Sequence, residues 1–123
     1  MTILIGLGQH FGIALFGRFF VGVARMSSIS ISPSVDVPNL ADGVRFYINA
    51  FGFSKHTEPV PGVAVLRAGD AQLCLLEKRA GSQPSQFTHE TRHNERHWTP
   101  GHMDIHVDDL KIALAKALDA DAT

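Results

Sequence analysis

The segment VDVPNLADGVRFYINAFGF, residues 35–53, predicts the end of a strand followed at once by an amphipathic helix. Asn39 is of a residue type that caps helix N-termini, and Gly52 can take the left-handed conformation that ends a helix. Between them, apolar residues recur at helical spacing at Leu40, Val44, Tyr47, Ile48 and Phe51. Because such a stripe must pack on another element, we expect a helix over about residues 39–51 that lies on a β-sheet.

Strand patterns flank this helix on both sides. Residues 29–37 (ISISPSVDV) alternate apolar and polar side chains, which is the period of a strand with one buried face. After the helix, Gly69 and Asp70 form a two-residue link typical of a tight hairpin. Three short strand patterns occur there, at residues 54–58, 62–68 and 71–77. Residues 29–78 therefore predict one β-α-β-β-β module with an α+β fold.

The predicted core of this module lies between the helix and one face of the sheet. Alternation along the strands and the helical stripe assign the same residues to that core. We expect burial of Val35, Val37, Val44, Ile48, Phe51, Leu73 and Leu75.

Residues 79–101 are polar and show no period, so they predict a linker loop. A new strand pattern begins at His102, and residues 108–120 predict a helix. Its apolar face carries Leu110, Leu114, Ala117 and Leu118. Residues 102–123 therefore have the pattern of a second module that stops after one strand and one helix.

The first 28 residues form an apolar extension that we expect to lie outside the domain. A secretory signal would need a basic residue before the apolar run, and none precedes Arg18. A membrane helix would contain His10 and Arg18, so membrane contact is not favoured. The preferred interpretation is that Met26 is the true start, because regular patterning begins just after it.

The 123 residues suit a single domain. The net charge is −1, and the lysines and arginines are scattered along the chain rather than clustered. Nothing in this charge pattern indicates nucleic-acid binding. Cys74 is the sole cysteine, which excludes an internal disulfide and suits a reducing compartment. We therefore expect a cytoplasmic protein without a nucleic-acid partner.

Three segments together resemble the glyoxalase/bleomycin resistance/extradiol dioxygenase superfamily, also called vicinal oxygen chelate proteins. They are residues 35–53, AGDAQLCLLEK (68–78) and HWTPGHMDIHVDDLKIALAKAL (97–118). The resemblance covers residues 29–123. It implies a glyoxalase-like βαβββ module plus the first strand and helix of an incomplete second module. In that superfamily two modules form a cup, where a divalent metal chelates two substrate oxygens as a Lewis acid.

The resemblance implies metal ligands at His102 and Cys74. The ligand position of the first strand falls at Ser32, a poor metal donor. Glu77 lies on the opposite face from Cys74 by strict alternation. The final-strand glutamate of the superfamily has no counterpart here. The expected cofactor is therefore a divalent ion such as Zn, Ni, Fe or Mn, or no metal at all.

The other histidines are weaker candidates for metal ligands. His93 and His97 fall in the linker, where solvated side chains are expected. In the strand at 102–107, His102, Asp104 and His106 share one face. Four strand residues span about 13 Å, so the two strand histidines cannot ligate one ion. One of them at most is a ligand.

Three functions follow from the resemblance. The first is a metal-dependent lyase, isomerase or dioxygenase of glyoxalase type that acts on a small oxygenated molecule. The second is a metal-free drug-binding protein of the bleomycin resistance type, and the third is a truncated inactive product. The expected partners are a small molecule and a second copy of the chain in a homodimer. The expected substrate-binding side chains are Ser32, Ser34, Gln72, Trp98, Asp104 and His106.

Overall fold

The computed structural model describes residues 2–6 and 29–123. The interpretations of the apolar extension concern residues 1–28. Met1 and residues 7–28 lie outside the described residues, whereas Thr2–Gly6 form a strand. Within the part of the chain that is described, no helix has the length and apolar character needed to cross a membrane.

The protein has an α+β fold with a four-stranded mixed sheet and two helices. The sheet has the strand order β2-β5-β4-β3, with β2 parallel to β5 and the other neighbours antiparallel. Along the chain the elements are β1 (Thr2–Gly6), β2 (Ser34–Val37), α1 (Leu40–Phe51), β3 (Ser54–Val60), β4 (Val63–Ala68), β5 (Ala71–Glu77), β6 (His102–His106) and α2 (Leu110–Asp119).

The ends of α1 confirm the sequence prediction. The Asn39 side chain accepts a hydrogen bond from the Asp42 N–H at 3.0 Å, as a capping residue should. At the other end Gly52 has φ of 70°, and its N–H donates to the Ile48 carbonyl. A left-handed glycine satisfies the last helical carbonyls without strain, so the chain can turn directly into β3.

The core lies between α1 and one face of the four-stranded sheet. Leu66, Leu73 and Leu75 are its largest fully enclosed side chains. Val35, Val37 and Tyr47 complete the buried set with Ala64, and Val44 and Phe51 pack against it while half-buried. The predicted facing of Leu73 and Leu75 toward the helix is therefore confirmed.

Two predictions are wrong, the burial of Ile48 in the core and the start of the strand at residue 29. Ile48 is 37% exposed. It lies about 80° around the helix from Leu40, at the border of the stripe and away from its centre. Ile29 and Ile31 are 94% and 87% exposed, because the strand predicted from residue 29 onward, β2, begins only at Ser34. The residue before it is Pro33, which has no N–H with which to extend the ladder.

The remaining elements form a second, smaller unit beside the sheet. Strand β6 begins at His102 as predicted, and it pairs antiparallel with β1. Met103 of β6 packs against the main core. Helix α2 is capped by Asp109 and contacts α1 through a face that buries Ala117. Of the other residues of its predicted apolar face, Leu110 is half-buried, whereas Leu114 and Leu118 are 48% and 57% exposed.

Replacement of Leu75 by alanine should strongly destabilise the fold, because this side chain is 0% exposed. We expect a loss of about 2–5 kcal/mol in the free energy of unfolding, measured by urea denaturation. The matched control is Ile48→Ala on the exposed margin of α1, which should cost much less. Equal losses would contradict the assignment of the core.

The stability of the protein should fall above pH 10, because burial raises the pKa of Tyr47 from 10.0 to about 12. Below pH 10 the phenol is neutral in both states, so its contribution is fully present there. As the pH rises toward 12, the unfolded chain ionises first and the folded state loses roughly 1.4 kcal/mol per pH unit. Tyr47→Phe should remove this part of the pH dependence of the free energy of unfolding. Denaturation curves recorded at several pH values from 9 to 11.5 give that slope. An unchanged slope would contradict the burial of the phenol.

Candidate functional site

The face of the four-stranded sheet that points away from α1 is here called the outer face. Alternation fixes its members, since Val35, Val37, Leu73 and Leu75 point into the core. The strand registers then align its side chains in three rows across the sheet. They are Asp36-Leu76-Val63-Val60, Ser34-Cys74-Val65-Thr57 and Gln72-Arg67-Ser54.

The thiol of Cys74 occupies the middle row of the outer face. It lies between Ser34 of β2 and Val65 of β4 in the register, and it is 4% exposed. Burial raises the pKa of the Cys74 thiol, and a hydrogen bond with Ser34 lowers it by a smaller amount. The thiol is therefore protonated near neutral pH, which makes it a poor nucleophile.

An ion pair lies at one end of the outer face. Arg92 Nε donates to Asp36 Oδ2 at 2.6 Å, and the two side chains are only 18% and 20% exposed. The same guanidinium donates to the Gln83 carbonyl at 2.7 Å. The Arg92 N–H also donates to the Ser82 carbonyl, and the Gly81 N–H donates to the Arg92 carbonyl. The linker loop is thus fastened to the sheet at Asp36.

The Glu77 carboxylate is bound on the helix side of the sheet. Its Oε2 atom accepts a hydrogen bond from the Leu40 N–H at 2.8 Å. This N–H is one of those left unpaired at the start of a helix, and a carboxylate there also interacts favourably with the helix dipole. Glu77 therefore caps α1 and stands away from the outer face, as alternation predicted.

Six of the eight site residues predicted from the sequence lie in two separate groups. Ser34, Gln72 and Cys74 lie on the outer face. His102, Asp104 and His106 lie on one exposed face of β6, in the other sheet, with His102 Nε2 at 3.8 Å from Asp104 Oδ2.

The two remaining predicted residues belong to neither group. Ser32 is exposed and precedes β2, and Trp98 is 80% exposed in the loop. Between residues 29 and 123 no group of three or more metal-binding side chains is found.

Two surface grooves lie away from the outer face. One has a volume of about 360 Å³ and runs between α1 and β3, with Ile48, Lys55 and Glu58 on its walls. The other has a volume of about 300 Å³ and lies between the two helices, beside Phe51 and Ile112. Both are shallow and open, and neither contains a residue that the sequence assigned to a site.

The sequence did not indicate the roles of Arg92 and Glu77. Arg92 bonds a residue 56 positions away, and nothing in the loop pattern distinguishes it from the other basic residues there. Glu77 ends a strand that lies beside the start of the helix, but one sequence does not show that the two are neighbours. Its distance from Leu40 along the chain, 37 residues, hides that relation.

Comparison with known proteins gives no relative. No protein-family model, no curated protein and no solved structure matches the chain significantly.

Removal of the Glu77 carboxylate should weaken α1. We expect Glu77→Ala to lower the free energy of unfolding by about 0.5–2 kcal/mol, the range found for lost helix caps. Glu77→Gln retains an acceptor oxygen for the Leu40 N–H and should recover most of this loss. Thermal or urea unfolding measures both. A neutral Glu77→Ala substitution would show that the cap contributes nothing.

Proposed function

We propose that the chain is a small-molecule-binding protein of the glyoxalase/bleomycin resistance superfamily, and that its ligand binds on the outer face. The observation that carries the proposal is the outer face itself, where a mainly apolar row beside Asp36 and an entirely polar row at Gln72 flank a mixed row at Cys74. The β-α-β-β-β order of residues 34–77 supports the resemblance.

The chemistry of the outer face suits a ligand with an apolar body and several oxygen or amide groups. Val63, Val65 and Leu76 offer half-buried apolar surface. Gln72 and Ser34 can each donate and accept hydrogen bonds beside it. Binding sites for small molecules commonly combine apolar walls with a few polar anchors of this kind.

Binding rather than metal catalysis is proposed because the donors implied by the resemblance do not fit together. The Cys74 thiol is protonated, and His102 belongs to the other sheet. Glu77 is already bonded to the start of α1. A catalytic metal site normally has three protein ligands and an open position. We therefore derive no reaction step through a metal.

We further propose that two copies of the chain form a homodimer. Helix α2 exposes Ile112, Leu114 and Leu118 by 57%, 48% and 57%, an apolar surface that a second copy could cover. Strand β6 has β1 on one side and no other strand partner among the described residues. Cytoplasmic location is proposed with the same superfamily assignment.

The test is a titration of the purified protein with metal-free bleomycin, followed by the fluorescence of Trp98, the sole tryptophan of the chain. We expect saturable binding at one site per chain. Val65→Ala and Gln72→Ala should each weaken it about tenfold, which corresponds to about 1.4 kcal/mol for a lost contact. Sedimentation of the same samples reports the dimer.

The matched control is Ile48→Ala, which changes an apolar side chain on the opposite side of the molecule. It should leave the affinity unchanged. Binding that all three variants weaken equally, or no binding at millimolar bleomycin, would contradict the proposed site. Metal analysis of the purified protein tests the alternative, since one metal per chain that is lost in His102→Ala would favour an enzyme of the glyoxalase type.

A further inference from the structure

Two histidines of the linker loop lie face to face. The ring centroids of His93 and His97 are 4.2 Å apart, and the ring planes are tilted by 55°. Imidazoles this close can present nitrogen atoms to a common point. The pair lies outside the four-stranded sheet and outside β6, so it is independent of the outer face.

The hydrogen bonding of His97 fixes which nitrogen is free. His97 Nδ1 is 2.7 Å from the Glu95 carbonyl oxygen. A carbonyl can only accept, so Nδ1 must carry the proton and donate. In the neutral ring the lone pair is therefore on Nε2.

The Nε2 atom of His97 is enclosed by protein and has no hydrogen-bond partner within the described part of the chain. A buried polar atom without a partner costs free energy, so a structure that retains one calls for an explanation. Metal-binding histidines characteristically donate their other N–H to a backbone carbonyl. His97 has this arrangement, with Nε2 as the free donor atom.

The backbone beside this pair is anchored. Arg92 immediately precedes His93 and is held by the ion pair with Asp36. Its N–H and carbonyl are bonded to Ser82 and Gly81 at 2.9 Å and 2.7 Å. The His93 side chain is exposed and can rotate toward Nε2 of His97. The His97 nitrogen is thus held in place by the Glu95 carbonyl, whereas the His93 nitrogen can adjust its position.

We propose that His93 and His97 form a binding site for a late first-row divalent metal ion, such as Ni²⁺ or Zn²⁺. Imidazole nitrogen is a preferred donor for these ions. Two imidazoles leave the other coordination positions to water. Because His97 Nε2 is enclosed, the exposed His93 side chain must move for the ion to reach it. The ion would connect two positions of the loop that lies beside the outer face.

The experiment is calorimetric titration of tag-free, chelator-treated protein with Ni²⁺ at pH 7.5, repeated with Zn²⁺. We expect one ion per chain with micromolar affinity. His93→Ala and His97→Ala should each weaken binding roughly 10–100-fold, since even the loss of an outer-sphere partner has an effect of that size. His89→Ala is the matched control, because it removes an exposed imidazole from the same loop. It should leave the affinity unchanged.

Several results would overturn the proposal. They are no binding below millimolar Ni²⁺, equal weakening by His89→Ala, and an affinity unaffected by His93→Ala. Binding lost only in His102→Ala would place the ion on β6 and contradict both this site and the metal-free function proposed above. His93 is exposed, so its alanine variant should fold, and an unchanged thermal transition without metal verifies that it does.

Discussion

Gly43 of α1 lies close against the two strands beneath the helix. A Cβ atom at this position would meet Val37 Cγ1 at 3.0 Å and Leu75 Cδ1 at 3.4 Å. A glycine inside a helix costs about 1 kcal/mol relative to alanine. Here it lets the first half of the helix lie close against β2 and β5. This approach also brings the Leu40 N–H within 2.8 Å of the Glu77 carboxylate, so the helix is capped by the sheet on which it packs.

That packing determines which side chains of β5 remain for function. Leu73, Leu75 and Glu77 are directed to the helix side, where they fill the core or cap α1. Their neighbours Gln72 and Cys74 therefore face outward in register with β2 and β4. A shift of one residue in this register would exchange the two sets completely. The outer face is thus a direct consequence of the helix contact.

The sequence predicted the elements well where local physical signals determine them. Asn39, Gly52 and the Gly69-Asp70 link act through neighbouring backbone atoms, and each lies where the pattern placed it. Prediction was wrong where the outcome depended on tertiary packing. Ile48 belongs to the helical stripe, but it lies at the border of that stripe, on the groove between α1 and β3, and stays 37% exposed.

Contacts between distant segments could not be predicted from one sequence. Strand β1 pairs with β6 across about 100 residues, and no alternating pattern in residues 2–6 indicates that pairing. The Arg92–Asp36 ion pair is of the same kind. The candidate site was foreseen only through Ser34, Gln72 and Cys74, which regular alternation places together. The loop that lies beside them was predicted only as irregular.

The ion pair at Asp36 also limits which part of the outer face is open to the proposed ligand. Both side chains are about four-fifths buried, so breaking the pair would leave a poorly solvated charge without a partner. The loop is therefore expected to stay fastened at the row that begins with Asp36. The row that begins with Gln72 lies at the opposite end, where the exposed Arg67 guanidinium lies 3.4 Å from Nε2 of the His56 ring. A ligand with a negatively charged or carbonyl oxygen would find a free donor at that end, while its apolar part lies over Val65. The fastened loop at the Asp36 end thus leaves the Gln72 end as the part of the outer face that the proposed ligand would occupy.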